Sequence, residues 1–324
     1  MAAGSFQGYR KPKRRVGRVI GVLFVVLLLL VVGGWIYLDS SLRRVSALPD
    51  YPNRPAKGAG TNWLLVGSDS REGLSEEDRE ALSTGGAAGQ RTDTIMLVHL
   101  PDGSGPATLV SLPRDSYVPI QGNGRNKLNA AFAWGGPQLL VRTVEEATGL
   151  RMDHYAEIGF GGFRDVVDAV GGVEMCLKEP MKDPLAGIDL PAGCQELDGA
   201  QALGYVRTRA SARADLDRVQ RQREFLSALV AKATSFGTLV NPFRVVPLVT
   251  SVPGAVSLND GDHLHHLAAM GWALSGSPVT TTVPIGSTGN APNAGSVVHW
   301  DKTRAGRLFE LLRNDQPVPQ DLVK

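Results

Sequence analysis

Three short stretches of this 324-residue chain each join an apolar run to charged residues, and together they decide the fold. Residues 62–71 read NWLLVGSDSR, residues 91–100 read RTDTIMLVHL, and residues 111–120 read SLPRDSYVPI. Short apolar runs bounded by turn or charged residues are typical of buried strands. The turn sequence PDG at 101–103 predicts a hairpin between a strand over 94–100 (TIMLVHL) and a strand over 107–112 (ATLVSL), which leads into the third stretch. The charged residues therefore fall at strand ends, where open α/β sheets place their ligand sites.

The remainder of the chain alternates strand-like and helix-like patterns, which predicts an α/β domain. Apolar residues at helical spacing predict helices over 137–147, 163–170, 216–234, 243–251, 262–274 and 303–313. Asp198 is the expected N-cap of a further helix over 200–206. Apolar runs predict additional strands at 155–158, 173–177 and 280–284.

An uncharged segment near the N-terminus, residues 19–38, reads VIGVLFVVLLLLVVGGWIYL. At about 1.5 Å per residue, a helix of this length spans roughly 30 Å, the hydrocarbon thickness of a bilayer. The basic residues before it are Arg10, Lys11, Lys13, Arg14, Arg15 and Arg18. By the positive-inside rule, we expect a single-pass plasma-membrane protein with a cytoplasmic N-terminus and an extracytoplasmic domain. A cleaved signal peptide is the alternative, because residues 45–47 (VSA) resemble a cleavage site.

The expected organisation therefore has four parts. A basic cytoplasmic tail covers 1–18, a transmembrane anchor 19–38, a linker 39–60 and an extracytoplasmic domain 61–324. The linker is predicted from its prolines and glycines, whereas the motifs of the domain lie within 62–235.

Cys176 and Cys194 are the two cysteines of the chain. In an oxidising compartment such a pair predicts a disulfide, and two separate buried thiols are the alternative. The sequence has no C-x-x-C motif, so a zinc or thioredoxin-like site of that kind is not indicated.

Several other functional classes lack support in the sequence. The formal net charge of +2 does not indicate nucleic-acid binding. The phosphate-binding motif G-x-x-x-x-G-K-[ST] and the hydrolase motif G-x-S-x-G are both absent from the sequence. His263 and His266 share a helix face, but no third ligand has a recognisable spacing, so we predict no metal site there. His99, inside an apolar strand, is expected to be structural.

Four polar clusters carry the candidate chemistry, at 67–71, 91–94, 113–115 and 207–222. Arginine offers a planar fork of donors that matches phosphate oxygens. Aspartate offers the hard oxygen ligands that Mg²⁺ prefers alongside a substrate's phosphates. Together they predict a pyrophosphate site. The alternative is that these residues form ordinary turns, surface ion pairs and the solvated face of a helix.

The assembled motifs resemble the LytR-CpsA-Psr family of bacterial envelope proteins. The resemblance rests on NWLLVGSDSR, RTDTIMLVHL, SLPRDSYVPI, NKLNAAFAWGGP, GFRDVVDAVGGVEMCL, LPAGCQELDGAQALGYVRTR and DLDRVQRQREFLSAL, in that order. The cysteines on either side of LPAG are similar to the actinobacterial branch. The resemblance implies a three-layer α/β sandwich, with a central mixed sheet between helices and a long apolar pocket for a polyprenyl chain.

The resemblance also implies an activity. Such proteins are phosphotransferases, dependent on Mg²⁺ or Mn²⁺, that move a glycan phosphate from a polyprenyl (undecaprenyl or decaprenyl) pyrophosphate carrier to peptidoglycan. Two alternatives stay open: a transcriptional attenuator of the envelope, and a polyprenyl-phosphate-binding protein without catalysis. We expect no nucleic-acid partner, because the predicted cytoplasmic part is only a short basic tail.

The resemblance assigns roles to individual positions. Asp69 and Asp93 match metal ligands. The positions expected to contact the pyrophosphate are Arg91, Arg114, Arg207, Arg209, Arg218 and Gln222. The catalytic set is Asp93, Arg91, Arg114 and Asp215, with Asp93 or Asp215 as the expected base. Asp217 departs from the family pattern, which has a glycine there. Candidates to hold the prenyl chain, with ordinary core packing as the alternative, are Leu139, Val144, Val166, Val170, Phe225 and Leu229.

Overall fold

The computed structural model describes residues 13–70, 76, 92–208 and 214–323, with the backbone alone given for 13–16, 214–217 and 219. The chain divides into two compact units, residues 1–41 and residues 42–324. The first unit contains helix α1 (Lys13–Ser40), whose segment Gly17–Ser40 is long and apolar enough to cross a membrane. Its large apolar side chains are exposed, as expected of a helix that packs against lipid, although a signal sequence fits the same description.

The second unit is built on a seven-stranded sheet with the order β1-β12-β7-β2-β3-β4-β13. Its strands are β1 (Arg43–Val45), β2 (Thr61–Ser68), β3 (Thr92–Leu100), β4 (Thr108–Ser111), β7 (His154–Ile158), β12 (Val256–Asn259) and β13 (Val279–Thr282). Strand β2 is antiparallel to β3 and parallel to β7, and β4 is parallel to β13. The predicted mixed sheet is therefore confirmed, including the β3–β4 hairpin.

Eight helices and four two-stranded ribbons surround this sheet within the described residues. The helices are α2 (Leu128–Thr148), α3 (Phe160–Ala169), α4 (Gly199–Arg207), α5 (Ala214–Ala233), α6 (Phe236–Leu239), α7 (Pro242–Ala255), α8 (Leu264–Ser275) and α9 (Lys302–Arg313). The ribbons pair β5 (Tyr117–Ile120) with β6 (Gly124–Lys127), β8 (Val173–Leu177) with β11 (Gly193–Leu197), β9 (Met181–Asp183) with β10 (Ile188–Leu190), and β14 (Ile285–Ala291) with β15 (Gly295–Trp300).

Successive side chains of β2 and β3 point to opposite faces of the sheet, and a helical layer covers each face. Leu64 and Val66 of β2 and Leu97 of β3 pack against α2 and α9 in the main hydrophobic core. Leu65 and Met96 point to the other face, where α3, α4, α5 and α8 lie across a cavity. The predicted three-layer arrangement is therefore confirmed.

Of the predicted helices, α4 has the predicted N-cap, whereas α2 begins earlier than predicted. Asp198 does cap α4, since its side chain accepts a hydrogen bond from the backbone N–H of Gln201 at 2.8 Å. Helix α2 begins at Leu128, earlier than predicted, because a kink at Gly135 and Gly136 joins an additional segment to the predicted helix. Gly136 has a φ of 61°, a conformation that favours glycine.

Cys176 and Cys194 lie directly opposite each other on β8 and β11 and form a disulfide. The pairing that the sequence favoured is therefore confirmed, and the alternative of two separate thiols is wrong. An oxidised pair accords with an extracytoplasmic location for this ribbon.

The segment predicted as a linker is folded onto the domain over much of its length. Residues Arg43–Val45 form β1, which pairs with β12 at the edge of the sheet. Further along, Nε and Nη2 of Arg54 donate three hydrogen bonds to the fully buried carboxylate of Glu145, with a shortest distance of 2.8 Å. The Tyr51 hydroxyl also donates to Glu145, and burial together with this carboxylate raises the pKa of Tyr51. The prolines suggested a linker, but this segment contacts β12 and Glu145, which are distant in sequence and cannot be identified from local composition.

We predict that Arg54→Ala lowers the free energy of unfolding of the full chain by about 3–5 kcal/mol, because it leaves Glu145 charged and buried without its cation. The double variant Arg54→Ala/Glu145→Gln should recover a large part of that loss, since the remaining amide is neutral. Urea unfolding in detergent, followed by circular dichroism, measures both variants. An Arg54→Ala protein as stable as the wild type would show that residues 43–54 add nothing to the domain.

Candidate functional site

One edge of the sheet collects the polar clusters that are dispersed in the sequence. Strand β2 ends at Ser68, β4 ends at Ser111 and β7 ends at Ile158, while the antiparallel β3 begins at Thr92. All four positions lie at the same edge because of these strand directions. Asp93, Arg114 and the half-buried Asp69 are therefore brought to one side of the sheet, as the sequence predicted.

A β-bulge at this edge sets the position of Asp93. Gly67 pairs with Thr94 and Ser68 pairs with Thr92, so Asp93 is the extra residue between two ladder pairs. A bulge redirects the side chain of the extra residue and is common beside functional sites. A Cβ on Gly67 would lie 3.0 Å from the Thr94 Cβ, so the close approach of the two strands favours glycine. The carboxylate of Asp93 consequently faces the cavity rather than the strand ladder.

Two guanidinium groups lie against Asp93. Arg114 Nη1 donates to Asp93 Oδ1 at 2.5 Å, and Arg218 Nη1 lies 4.0 Å from the same oxygen. Arg114 and Asp93 are partly exposed, whereas the side chain of Arg218 is only 3% exposed. Such charge-assisted contacts are stronger than those between neutral groups. The predicted residues Asp93, Arg114 and Arg218 thus form one cluster.

Arg114 is held on its other side by Asp115. Arg114 Nε donates to Asp115 Oδ2 at 3.3 Å, and Lys127 Nζ lies 2.7 Å from Asp115 Oδ1. Two carboxylates therefore fix the orientation of one guanidinium group. The sequence reasoning missed Lys127 as a candidate, although this lysine belongs to the quoted motif NKLNAAFAWGGP.

The end of α4 brings a further arginine to the same region. Arg207 lies with its guanidinium carbon 4.7 Å from the centre of the Phe160 ring, a cation–π contact. The buried side chains of Gln222 and Arg221 donate to the carbonyl oxygens of Val206 and Thr208, at 3.3 and 2.6 Å. These bonds tie α5 to the last turn of α4. Gln222, predicted to bind pyrophosphate, thus also positions Arg207.

Three predicted residues cannot be placed in this cluster. Arg91 and Arg209 lie outside the described residues. Asp215 lies in the first turn of α5 with its backbone alone described, as does Asp217, the departure from the family pattern. Their predicted roles stay predictions.

The charged edge opens onto a cavity of ≈ 240 Å³ between the sheet and the second helical layer. The apolar side chains that line it are Leu65, Met96, Ala156, Ile158, Phe160, Phe163, Leu203, Val206, Phe225, Leu226, Leu229, Val256, Leu267 and Met270. Its polar lining includes Ser68, Asp93, Glu157, Arg207 and Gln222. A long apolar chain attached to an anionic group matches this combination of surfaces.

Only two of the six predicted cavity residues, Phe225 and Leu229, line this cavity. Leu139 and Val144 pack in the core on the opposite face of the sheet, so their assignment is wrong. Val166 and Val170 pack in a second core cluster, which Phe225 and Leu229 also join, but they do not line the cavity, so their assignment is wrong as well. The period-two alternation of β2 and β3 is the signal that could have identified Leu65 and Met96.

Asp69 and Asp93 are the residues of this edge that could hold a metal ion. The donors are carboxylate oxygens, which suit Mg²⁺ or Mn²⁺ when phosphate oxygens complete the coordination. The bulge takes Asp93 out of the regular ladder at the edge where β2 leads into Asp69. The residues present therefore fit such an ion.

The family model described as LytR_cpsA_psr family matches residues 44–299. The chain belongs to the LytR_cpsA_psr family. It is 57% identical over 304 residues to the probable cell wall biosynthesis protein LcpB of Corynebacterium glutamicum, which covers 94% of this chain and 72% of that protein. The predicted family and its actinobacterial branch are thus confirmed.

Two further LytR_cpsA_psr comparisons agree with this assignment. The chain is 38% identical over 182 residues to the polyisoprenyl-teichoic acid–peptidoglycan teichoic acid transferase TagT of Bacillus subtilis, covering 54% of this chain and 53% of that protein. A LytR-Csp2A-Psr enzyme from Actinomyces oris superposes with a TM-score of 0.66 at 25% identity, covering 84% of this chain and 95% of that chain.

Proposed function

We propose that this protein is a transferase of cell wall biosynthesis that moves a glycan phosphate from a polyprenyl pyrophosphate carrier to peptidoglycan. The observation that carries the proposal is the junction between the cluster of Asp93, Arg114 and Arg218 and the apolar cavity. A lipid-linked pyrophosphate has the same two parts, an apolar chain and a compact anion. The names of TagT and LcpB, which refer to teichoic acid transfer and cell wall biosynthesis, support this choice.

Substrate binding follows from the two surfaces. The prenyl chain lies between the sheet and helices α3, α5 and α8, where it is removed from water at a gain of roughly 25 cal/mol per Å². The pyrophosphate lies at the strand ends, where Arg114, Arg207 and Arg218 supply donors. Arg91 and Arg209 complete this set in the prediction from sequence.

The transfer is a phosphoryl substitution at the phosphorus atom next to the sugar. A hydroxyl oxygen of peptidoglycan forms a bond to this phosphorus, and the bond from the phosphorus to the bridging oxygen breaks. The polyprenyl phosphate leaves with the electron pair, and the arginines stabilise its charge. The hydroxyl proton passes to a carboxylate, for which Asp93 and Asp215 are the candidates.

Of these two, Asp215 is the better candidate base. Asp93 already balances the charge of Arg114 and lies near Arg218, which suits it to hold and orient cations. A Mg²⁺ or Mn²⁺ ion bound by Asp69 and Asp93 would supply additional positive charge for the phosphates. Asp93 and Arg114 then keep the pyrophosphate in line with the incoming hydroxyl.

The proposed location is the outer face of the plasma membrane, with α1 as the anchor and its basic N-terminal flank in the cytoplasm. The apolarity of α1 and the disulfide between Cys176 and Cys194 support this orientation. The second unit would then have access to lipid-linked donors and to peptidoglycan.

We predict that Asp93→Ala and Arg114→Ala each reduce transfer by at least about a hundredfold. Loss of Arg114 removes a cation that stabilises charge in the transition state, and loss of Asp93 removes the carboxylate that orients this cation. Asp321→Ala and Arg307→Ala are matched controls, since these residues form an exposed ion pair outside the cluster, and they should keep full activity. Transfer of a radiolabelled glycan from a synthetic prenyl pyrophosphate to peptidoglycan measures the effect. Retained prenyl binding without any transfer by the wild type would instead support a carrier protein.

We also predict that Ala156→Trp weakens binding of decaprenyl phosphate by at least about tenfold, because the indole occupies the cavity. Ala268→Trp is the matched control, since Ala268 lies exposed on α8 and the side-chain change is identical. Titration calorimetry in detergent micelles compares the two variants. Equal affinities would show that the prenyl chain binds elsewhere.

A further inference from the structure

A second cluster of polar side chains lies at the opposite end of strand β7 from the charged edge. His154 opens β7, whereas Ile158 closes it at the cavity mouth, roughly 13 Å away at about 3.3 Å per residue. Asp262 and His266 approach His154 from the start of α8. The proposed transfer reaction uses none of these three residues.

The ligand atoms of the cluster lie close together. His154 Nδ1 is hydrogen-bonded to Asp262 Oδ1, and His266 Nδ1 lies 3.9 Å from the same carboxylate oxygen. One nitrogen or oxygen atom from each of the three residues lies within 4.8 Å of the others. Two ligands bound tetrahedrally at about 2.0–2.1 Å from a zinc ion are about 3.4 Å apart. Binding one ion therefore requires two local changes. His154 and Asp262, which are hydrogen-bonded directly to each other, must move slightly apart. The His266 ring must turn away from the backbone N–H of His263, which donates to its Nδ1 at 3.2 Å.

Two of the three side chains are held in place by the surrounding protein. The Asp262 side chain is only 3% exposed, and its Oδ2 accepts a hydrogen bond from the backbone N–H of Tyr155 at 3.2 Å. The His154 ring stacks on the buried ring of Trp63, with centroids 4.4 Å apart. His266 is 31% exposed, so an ion can reach the cluster from solvent. Fixed ligands with an open approach are features of a built metal site.

Two more imidazoles lie beside this set. The ring of His265 is 4.0 Å from that of His266, and the ring of His263 is 5.9 Å from it. Four of the six histidines of the chain thus form one group of neighbouring rings.

We propose that His154, Asp262 and His266 bind one divalent transition-metal ion, with Zn²⁺ as the best fit. Mixed imidazole and carboxylate ligands suit zinc, whereas Mg²⁺ favours oxygen ligands alone. The site is separate from the pair Asp69 and Asp93. The sequence alone gave no third ligand for His263 and His266, because His154 lies 108 residues before Asp262.

The position of the ion gives it a structural role. Leu267 and Met270 follow His266 on α8 and line the cavity, and Ala156 and Ile158 of β7 line the facing wall. An ion bound to both β7 and α8 joins these two walls covalently through its ligands. The metal therefore stabilises the shape of the cavity and does not take part in the transfer reaction.

The test uses the full chain in detergent, without a polyhistidine tag, stripped with a chelator and then titrated with Zn²⁺ against a chromophoric competitor. We expect one ion per chain with a dissociation constant of about 1 μM or below, and an increase in melting temperature on zinc addition. His266→Ala should weaken zinc binding by at least about tenfold and abolish the increase. His299→Ala, a histidine of β15 outside the cluster, should bind like the wild type.

Two further measurements make the test decisive. Co²⁺ in place of Zn²⁺ should give the visible absorption of a tetrahedral ion in the wild type and lose it in His266→Ala. Circular dichroism of the metal-free variants shows that they fold, and the part-exposed His266 is the substitution least able to disturb the core. Absence of saturable zinc binding below about 100 μM, or unchanged affinity in a folded His266→Ala protein, would overturn the proposal.

Discussion

The alternation of side chains along the two central strands is the constraint on which the other features depend. Leu64 and Val66 complete a closely packed core with α2 and α9, while Leu65 and Met96 are left to face a cavity. A fold that keeps such a space with a stable core on the opposite face is suited to a ligand that fills it.

The same strands deliver the charged part of the site. Because β2 and β3 are antiparallel, the end of one and the beginning of the other meet at the cavity mouth, and the bulge there frees Asp93 from the ladder. The 2.5 Å contact with Arg114 then places a cation at the entrance. An anionic headgroup that enters can exchange or share these ionic contacts while its apolar chain enters the cavity. The specificity for an amphiphilic substrate thus follows from one sheet edge.

Local sequence was sufficient for six of the fifteen described strands, most helices, the disulfide and the placement of Asp93 and Arg114 at strand ends. The six strands are β2, β3, β4, β7, β8 and β13. These features depend on short-range patterns or on residues directly beside a strand. Leu139 and Val144 were misassigned because an apolar helix face is the same in sequence whether it packs against a core or against a cavity. Residues 43–54 were misread as a linker, since their partners, β12 and Glu145, are remote in sequence. The structure brings Asp93, Arg114 and Arg218 together, but every site role carried over from the family stays a prediction. The side chains of Arg91, Arg209 and Asp215 also lie outside the described residues.

The most direct measurement is photo-crosslinking of a prenyl pyrophosphate that carries a diazirine on its apolar chain, followed by mass spectrometry of the labelled peptides. If the cavity holds the chain, the labels that unlabelled lipid competes away should fall on Phe163, Phe225 and Leu229, on the cavity side of the sheet. Arg114→Ala should weaken this labelling without moving it. Competable labels confined to α2 and α9, on the opposite face, would contradict the assignment of the cavity to the lipid chain.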